Sequence, residues 1–238
     1  MTTLLVDGDI VAYRAAAASE TPIHWGEDLW TLHSYADEAY EYASSMIDGL
    51  LEQSKCSTAL VLLSDKSNFR KEIDTEYKAN RIGQRKPICL REVRERMQAN
   101  MKTKMVDGLE ADDLIGIFAT KSPQKYIIWS PDKDLLQIAG KHLIEGEVVE
   151  ITQQQADRSF WMQVLTGDTA DNYKGIHGVG PKTAERILDA DDGLSDWGKV
   201  KKAYEKAGLT VDDAITTARL AFILRDDAKD MPWEPPHE

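Results

Sequence analysis

The chain has 238 residues, is 42% hydrophobic, carries a formal net charge of −12 and contains two cysteines. This length suits one large domain with a small appendage, and this hydrophobic content favours a packed core over general disorder. No apolar run approaches the roughly 18 residues of a membrane-spanning helix, no signal-peptide pattern is present, and two cysteines make no disulfide framework. We therefore expect a cytoplasmic protein without membrane contact.

Short apolar runs predict buried parallel strands at residues 3–6, 59–64 and 126–130. Apolar residues at helical spacing predict an amphipathic helix at residues 35–53 and another that begins near residue 111. Strands that alternate with helices are typical of an α/β domain with a central, mainly parallel sheet flanked by helices. We assign this domain to residues 1–152.

The pattern becomes helical from about residue 153. Apolar spacing predicts helices at residues 156–165, 182–188, 197–207 and 211–224. The last stretch, residues 226–238, is acidic and contains prolines, and we expect it to be extended or disordered. We therefore assign residues 153–238 to a helical C-terminal subdomain with an acidic tail.

An aspartate follows each of the three predicted strands: Asp7, Asp65 and Asp132. In an open parallel sheet, ligands bind in the crevice beyond the carboxyl ends of the strands. One acid after a strand is usually a turn or cap residue, and capping could explain any one of these three. Three acids at equivalent positions favour a shared crevice.

Six more acids lie in three local groups: Glu110, Asp112 and Asp113; Asp134, two residues after Asp132; and Asp168 with Asp171. Stabilisation of a helix N-terminus explains the first group equally well. Two carboxylates ~5 Å apart repel by about 3 kcal/mol at an effective dielectric constant of ~20. The nine carboxylates therefore either do not converge or are neutralised by cations. Oxygen-only ligands and scattered histidines favour hard ions such as Mg²⁺ or Mn²⁺.

A basic segment interrupts this acidic chain. Residues 66–104 contain twelve lysines and arginines but only five acids. Such a segment is a candidate for contact with nucleic-acid phosphates. A solvated helix face with charges sorted by chance is the alternative, and charge by itself does not separate the two.

A glycine-rich turn precedes the predicted helix at residues 182–188. Gly178 and Gly180 permit positive φ angles and close backbone approach, and Pro181 suits the first turn of a helix. Exposed amides with Lys182 nearby can bind a phosphate. The turn therefore predicts a hairpin that grips a DNA backbone without base readout, with an ordinary helix–turn–helix corner as the weaker alternative.

Six stretches follow one another along the chain: Val6-Asp7-Gly8-Asp9, Asp65 to Arg70, Tyr77-Lys78-Ala79-Asn80-Arg81, Glu110 to Asp113, Ser130 to Asp134, and Gly167 to Asn172 with the glycine turn. Together and in this order, they resemble the motifs of the 5′-nuclease family. This family contains flap endonucleases, the 5′-nuclease domain of bacterial DNA polymerase I, and bacteriophage 5′–3′ exonucleases. The compact length is similar to that of the stand-alone phage enzymes. The resemblance implies a PIN-like sheet, a helical arch at about residues 66–106 and a C-terminal helix–two-turn–helix subdomain.

The resemblance also implies the ligands of two Mg²⁺ or Mn²⁺ ions. Asp7, Asp65, Glu110 and Asp112 would hold one ion with Asp113 nearby, and Asp132, Asp134, Asp168 and Asp171 would hold the other.

The remaining implied roles concern DNA. Lys78 and Arg81 would contact the scissile phosphate, Tyr77 would stack on a base or pack the arch, and Arg70 would belong to the DNA-binding set. Gly178, Gly180 and Lys182 would grip the duplex, where the turn in this family often also holds K⁺ through carbonyl oxygens.

The implied reaction is hydrolysis of DNA phosphodiesters at 5′ ends, flaps or overhangs during replication or repair, by a monomer in the bacterial cytoplasm, the host's if the chain is phage-encoded. RNA in RNA–DNA hybrids is a further implied substrate. Two rival functions stay open. A PIN-type ribonuclease would share the acidic crevice but would not need the glycine turn, and a DNA-structure-binding protein without activity would not need the full set of acids.

Overall fold

A six-stranded sheet lies at the centre of the N-terminal part of the chain, in a computed structural model that describes residues 2–225 and 233–236. The described strands are β1 (Thr3–Asp7), β2 (Thr21–Gly26), β3 (Leu29–His33), β4 (Thr58–Leu62), β5 (Thr103–Lys104), β6 (Tyr126–Trp129), β7 (Gly140–Ile144), β8 (Glu147–Ile151), β9 (Gly167–Asp168) and β10 (Tyr173–Lys174). The central sheet has the order β5-β4-β1-β6-β7-β8 and is parallel except for the β7–β8 pair.

Helices cover both faces of this sheet. The described α-helices are α1 (Gly8–Ala18), α2 (Ala36–Ser54), α3 (Arg70–Ile73), α4 (Leu90–Asn100), α5 (Ala111–Lys121), α6 (Gln153–Thr166), α7 (Pro181–Leu188), α8 (Asp196–Lys206) and α9 (Val211–Ala221). Leu4 and Val6 of β1 pack with residues of α1, α2 and α4, whereas Leu5 packs with residues of α5 on the other face. Because both faces are buried, the strands are continuous apolar runs rather than alternating ones.

The structure confirms the α/β class, the three predicted parallel strands and the predicted helices, with boundaries that shift by a few residues. The last predicted helix ends at Ala221 rather than at residue 224, because Phe222 is extended and the Leu224 amide bonds to Asp113 instead of continuing the helix. Helices α1 and α4, the β2–β3 hairpin and the β7–β8 pair were not predicted. The segment at residues 66–106 contains α3, a 3₁₀ turn at Ala79–Arg81, α4 and β5, so the implied helical arch is only partly helical.

Helices α6 to α9 pack around a second apolar cluster that includes Trp161 and Trp197. Trp233, from the predicted tail, packs against both, with ring centroids 5.8 and 5.4 Å apart. Residues 233–236 form no helix or strand but are anchored, because Arg219 Nε donates to the Trp233 carbonyl. Residues 226–232 and 237–238 of the tail lie outside the described residues. Within residues 2–225 and 233–236, no helix is both long enough and apolar enough to cross a membrane.

Two glycines, Gly167 and Gly175, bring the end of α6 against the segment that follows β10. A Cβ atom at Gly175 would lie 2.4 Å from the Gly167 nitrogen and 2.4 Å from the Leu165 carbonyl oxygen. Both neighbours are backbone atoms, so no side-chain rotation could relieve the clash. This contact fixes the loop that carries Asp168 and Asp171.

Replacement of Gly175 by alanine should lower the free energy of unfolding by about 1–3 kcal/mol, as overpacking against backbone does. Gly49→Ala is the matched control, because Gly49 lies within α2 with nothing within 4 Å of a built Cβ. That control should raise stability by up to about 1 kcal/mol through helix propensity. Urea unfolding of both variants measures the difference, and equal effects would show that the glycine contact is not tight.

Candidate active site

The aspartates after β1, β4 and β6 line one cavity of about 640 Å³. These strands are adjacent in the sheet, in the order β4-β1-β6, so their carboxyl ends meet at one edge. The shared crevice predicted from the strand ends is therefore present. Glu110 and Asp112 at the start of α5, Asp134 after β6 and Asp171 also line it.

A first group of carboxylates forms around Asp7, which is 3% exposed. Burial and the nearby charge of Asp132 raise the pKa of Asp7 to about 6, although Ser130 donates a hydrogen bond of 2.9 Å to its carboxylate. Burial and the charges of Asp7 and Glu110 raise the pKa of Asp112 well above its ordinary value. The charges of these four acids therefore lie close enough to disfavour the charged forms of Asp7 and Asp112.

A second group lies beside the first. Burial and the charges of Asp132 and Asp168 raise the pKa of Asp134 to about 7, and Asp171 contributes in the same direction. The Asp134 Oδ1 atom is buried and has no hydrogen-bond partner within the described chain. Asp132 acts on Asp7, Asp112 and Asp134, so it joins the two groups.

Two cations from the basic segment enter this site. The Lys78 ammonium contacts Glu110 and lies 3.4 Å from Asp171 Oδ2. Arg81 pairs with the other oxygen of Asp171. Burial opposes the charge of Lys78, but Glu110 and Asp171 outweigh it and raise its pKa, while Lys78 and Arg70 overcome burial and lower the pKa of Glu110. Lys78 thus balances charge from α5 and from the loop after α6.

The donor set fits hard divalent cations. All nine predicted ligands are carboxylates, and several of them raise one another's pKa. The partnerless oxygen of Asp134 is a ligand atom without another use among the described contacts. Over residues 2–225 and 233–236, no three acidic, histidine or cysteine side chains already stand in an arrangement that could hold an ion. Lys78 and Arg81 contact two of these carboxylates, Glu110 and Asp171.

The structure gives Asp113 and Arg70 a different role from the implied one. Arg70 is 2% exposed and Asp113 0% exposed, and they form a bidentate pair with two contacts of 2.8 Å. The guanidinium also donates to the carbonyls of Leu220 and Phe222. A buried arginine with every direction occupied cannot contact DNA, and Asp113 points away from the cavity. We therefore remove both residues from the ligand and DNA-contact sets.

Tyr77 is also buried, with 2% of its surface exposed, so its ring does not stack on a base in this structure. The alternative, that it packs the segment, is the observed one. Its hydroxyl lies 3.0 Å from Glu110 Oε2 and 2.9 Å from Asp171 Oδ2, and thus bridges the two sides of the site. Burial raises the pKa of this hydroxyl well above its ordinary value, so Tyr77 stays protonated.

Asp65 lies at the cavity but is tied to its own loop. Its carboxylate accepts hydrogen bonds from Ser67 and from the Gly108 amide, and these lower its pKa. Asp9, which belongs to a resembling stretch but not to the implied metal ligands, accepts from the Ser64 amide and pairs with Arg94. Asp9 therefore attaches α4 to the end of β4.

The glycine turn lies on the surface, away from the carboxylates. Gly178 has φ +77° and therefore uses the freedom of glycine, whereas Gly180 is extended and precedes Pro181 at the first position of α7. Lys182 is exposed on the first turn of α7. The arrangement agrees with the predicted hairpin, and its contact with DNA stays a prediction.

Several residues at the site were not predicted as site residues, and Tyr13 and Ser130 are two of them. Tyr13 of α1 lines the cavity with 51% of its surface exposed. Ser130 orients Asp7 through its hydroxyl. The position of Ser130 at the end of a predicted strand, beside Asp132, was the available signal for it, whereas Tyr13 lies on a helix that was not predicted.

The sheet with carboxylates at its strand ends, followed by a helical part, defines an α/β nuclease of the PIN-like fold. The family model of the 5′–3′ exonuclease N-terminal, resolvase-like domain matches residues 2–166. The chain belongs to this 5′–3′ exonuclease family.

Its relatives include phage and bacterial proteins. The exonuclease of Escherichia phage T7 is 26% identical, over 93% of this chain and 88% of the phage protein. A 5′–3′ exonuclease of Aquifex aeolicus is 27% identical, over 87% of this chain and 76% of that protein. Among solved structures, the bacteriophage T5 flap endonuclease in a complex with DNA and metal ions superposes with a TM-score of 0.64 at 18% identity, over 93% of this chain and 89% of that chain.

Removal of one partner of the buried Arg70–Asp113 pair should be costly. Asp113→Asn should lower the free energy of unfolding by about 3–5 kcal/mol, because an uncompensated charge stays buried. Arg91→Gln is the control, since Arg91 pairs with Glu92 but its side chain is 79% exposed, and no measurable change is expected. Denaturant unfolding compares them, and a tolerant Asp113→Asn would contradict the structural role of the pair.

Proposed function

We propose that the protein is a divalent-metal-dependent 5′–3′ exonuclease and flap endonuclease that hydrolyses DNA phosphodiesters at 5′ ends, flaps or overhangs. The observation that carries the proposal is one cavity in which two facing carboxylate groups, joined through Asp132, meet two cationic side chains of the basic segment. Carboxylates suit divalent cations, and cations suit a phosphodiester. The family and the phage exonuclease relatives support the same reaction.

The proposed ligands form two sets. Asp7, Asp65, Glu110 and Asp112 would hold one Mg²⁺ or Mn²⁺ ion, and Asp132, Asp134, Asp168 and Asp171 would hold the other. Asp132 faces both groups, which supports a shared position between the ions. When bound, two such ions supply a water of lowered pKa and neutralise charge on the phosphodiester.

Lys78 and Arg81 supply the positive charge for the transferring phosphoryl group. Both contact carboxylates of the site, and both line the cavity, so small rotations would bring them to a phosphate at its centre. Donors fixed in a partly buried site stabilise developing charge better than solvated ones. Tyr77 holds Glu110 and Asp171 in place and keeps its proton. The serine hydroxyls that meet carboxylates here, Ser130 with Asp7 and Ser67 with Asp65, would orient the proposed metal ligands, and neither cysteine lines the cavity, which favours water as the nucleophile.

The proposed partner is DNA with a free 5′ end. The T5 flap endonuclease and the catalytic core of Rad2 are structural neighbours described in complex with DNA, which supports this choice by fold. The glycine turn at Gly178 and Gly180, with Lys182, would hold the duplex backbone and K⁺ through its carbonyls. We extend the proposal to RNA in RNA–DNA hybrids and to a monomer that acts in the bacterial cytoplasm.

Product sizing on a labelled flap, a blunt duplex, an RNA–DNA hybrid and structureless RNA, with and without chelator, tests the proposal. We expect chelator-sensitive cleavage from the 5′ end of the DNA substrates. Preference for structureless RNA would favour a PIN-type ribonuclease, and tight duplex binding without product would favour a binding protein.

Asp134→Asn should abolish most hydrolysis while DNA binding in Ca²⁺ persists. The same change should raise the free energy of unfolding without metal by about 1 kcal/mol or more, because it removes a buried charge that faces others. Added Mn²⁺ should stabilise the variant less than the wild type. Asp48→Asn on the exposed face of α2 is the control and should change none of these quantities.

Lys78→Ala should slow single-turnover cleavage by roughly 100-fold or more, as loss of one preorganised charge contact does. Lys104→Ala, an exposed lysine of the same basic segment, is the matched control and should stay near the wild-type rate. Rapid-quench measurement at saturating enzyme separates the chemical step from binding. An unchanged rate for Lys78→Ala would remove this lysine from the mechanism.

A further inference from the structure

The β2–β3 hairpin exposes an unusual amount of aromatic surface. Its two strands pair only with each other, outside the central sheet. Trp25 and Trp30 are 65% and 58% exposed, and Leu29 and Leu32 are 59% and 42% exposed. A two-stranded hairpin is marginally stable alone, and large exposed apolar patches usually mark binding surfaces. The exposed apolar surface of the hairpin therefore indicates a binding surface.

The rings are already oriented. Trp30 stacks on His24 with centroids 4.3 Å apart and planes at 16°, which leaves its other face open. Trp25 Nε1 donates to Thr31 Oγ1 at 2.8 Å, which fixes the indole in one orientation. Thr31 neighbours Trp30 in β3 and so faces the other side of the hairpin, and its bond to Trp25 places that indole opposite the His24–Trp30 pair. Each face thus presents one ordered indole.

The base of the hairpin is joined to the wall of the nuclease cavity. Glu20, just before β2, forms a bidentate pair with Arg85 at 2.7 and 2.9 Å and accepts from the Ile88 amide at 2.9 Å. Arg85 lines the cavity, together with Arg81 and Lys86. A path therefore runs from the carboxylates, along these cations, to the base of the hairpin, whose far end carries the exposed indoles.

We propose that the β2–β3 hairpin is a stacking platform for the bases of single-stranded nucleic acid whose phosphates follow the Arg81–Lys86 wall into the cavity. The location rests on the proposed function, and the aromatic surface is an independent observation. Proteins that bind single strands combine a basic track with aromatic rings, since every base has a face to stack. The Arg81–Lys86 wall supplies the basic track, and the hairpin supplies the aromatic rings. A protein partner would not need the basic track.

Charge at the tip sets the polarity of this surface. Glu27 and Asp28 form the turn, both with positive φ angles, at the end of the hairpin away from Arg85. Two acids at the tip disfavour phosphates there and favour them at the base. Trp25 and Trp30 flank this turn, so the strand would run along the hairpin, with its bases against the indoles and its phosphates directed from the tip toward Arg85 at the base.

The test compares duplexes that carry a 5′ tail of about ten thymidine nucleotides, within the site sizes of single-strand binders, or an abasic tail of equal length. Binding is measured in Ca²⁺, so that hydrolysis does not interfere. The abasic tail keeps its phosphates but has no bases that could stack on the indoles. We expect the wild type to bind the thymidine tail at least about ten-fold more tightly than the abasic tail.

The double variant Trp25→Ala/Trp30→Ala should lose this preference, while Trp25→Phe and Trp30→Phe should each keep most of it. Tyr42→Ala, which removes a 50% exposed ring of α2, is the matched control and should bind as the wild type does. Because both indoles are exposed, thermal unfolding should change little. A double variant that keeps the preference, or a wild type without one, would overturn the platform. A hairpin that serves a protein partner would give that same result.

The same proteins are assayed for chelator-sensitive cleavage of a blunt duplex, which has no tail. We expect the double variant to retain this cleavage within about two-fold, since neither indole lines the cavity. Loss of tail preference in the double variant with cleavage intact supports the platform. Equal tail binding with cleavage intact overturns only the platform, whereas a wild type that cleaves nothing overturns the proposed function itself.

Discussion

Mutual repulsion among carboxylates at the ends of β1 and β6 and at the start of α5 is the constraint on which the rest of this structure depends. Asp7, Asp112 and Asp134 each have a raised pKa because burial and neighbouring acids disfavour their charges. Such an arrangement costs stability, and nearby positive charge must offset the cost. The basic segment supplies that charge from within the chain, through Lys78 and Arg81.

This charge balance also connects the two parts of the molecule. The Lys78 amide donates to the Asp171 carbonyl, Asn80 donates to the Thr169 carbonyl, and Tyr77 reaches both Glu110 and Asp171. The basic segment thus lies between α5 and the loop after α6 and holds them at a fixed separation. The buried Arg70 also joins the two parts, because it pairs with Asp113 of α5 and donates to a carbonyl at the end of α9. One cationic segment therefore sets the shape of the cavity as well as its charge.

Sequence reasoning reached the sheet and the three strand-end aspartates, because parallel topology alone places strand ends together. It could not divide the acids of residues 110–113, where capping and metal binding predict the same residue types. In the structure the acids divide at neighbouring positions: Glu110 lines the cavity, while Asp113 accepts the Glu110 amide and turns to Arg70. Which acid turns inward depends on how α5 packs against Arg70, a contact between residues 43 positions apart. The β2–β3 hairpin escaped prediction because its turn uses Glu27 and Asp28 rather than glycine or asparagine.

The charge balance limits what electrostatics can contribute to DNA binding. The chain carries a net charge of −12, and cations that line the cavity are already engaged: Lys78 and Arg81 with carboxylates of the site, Arg85 with Glu20. Paired cations attract a phosphate less than free ones, and solvent ions screen the remainder beyond about 8 Å at physiological salt. A protein with a negative net charge and paired cations must gain affinity for a polyanion from contacts that do not depend on charge. The ordered indoles of the β2–β3 hairpin provide such contacts, because stacking acts on the bases. The phosphates are then bound by the cations that are not already paired.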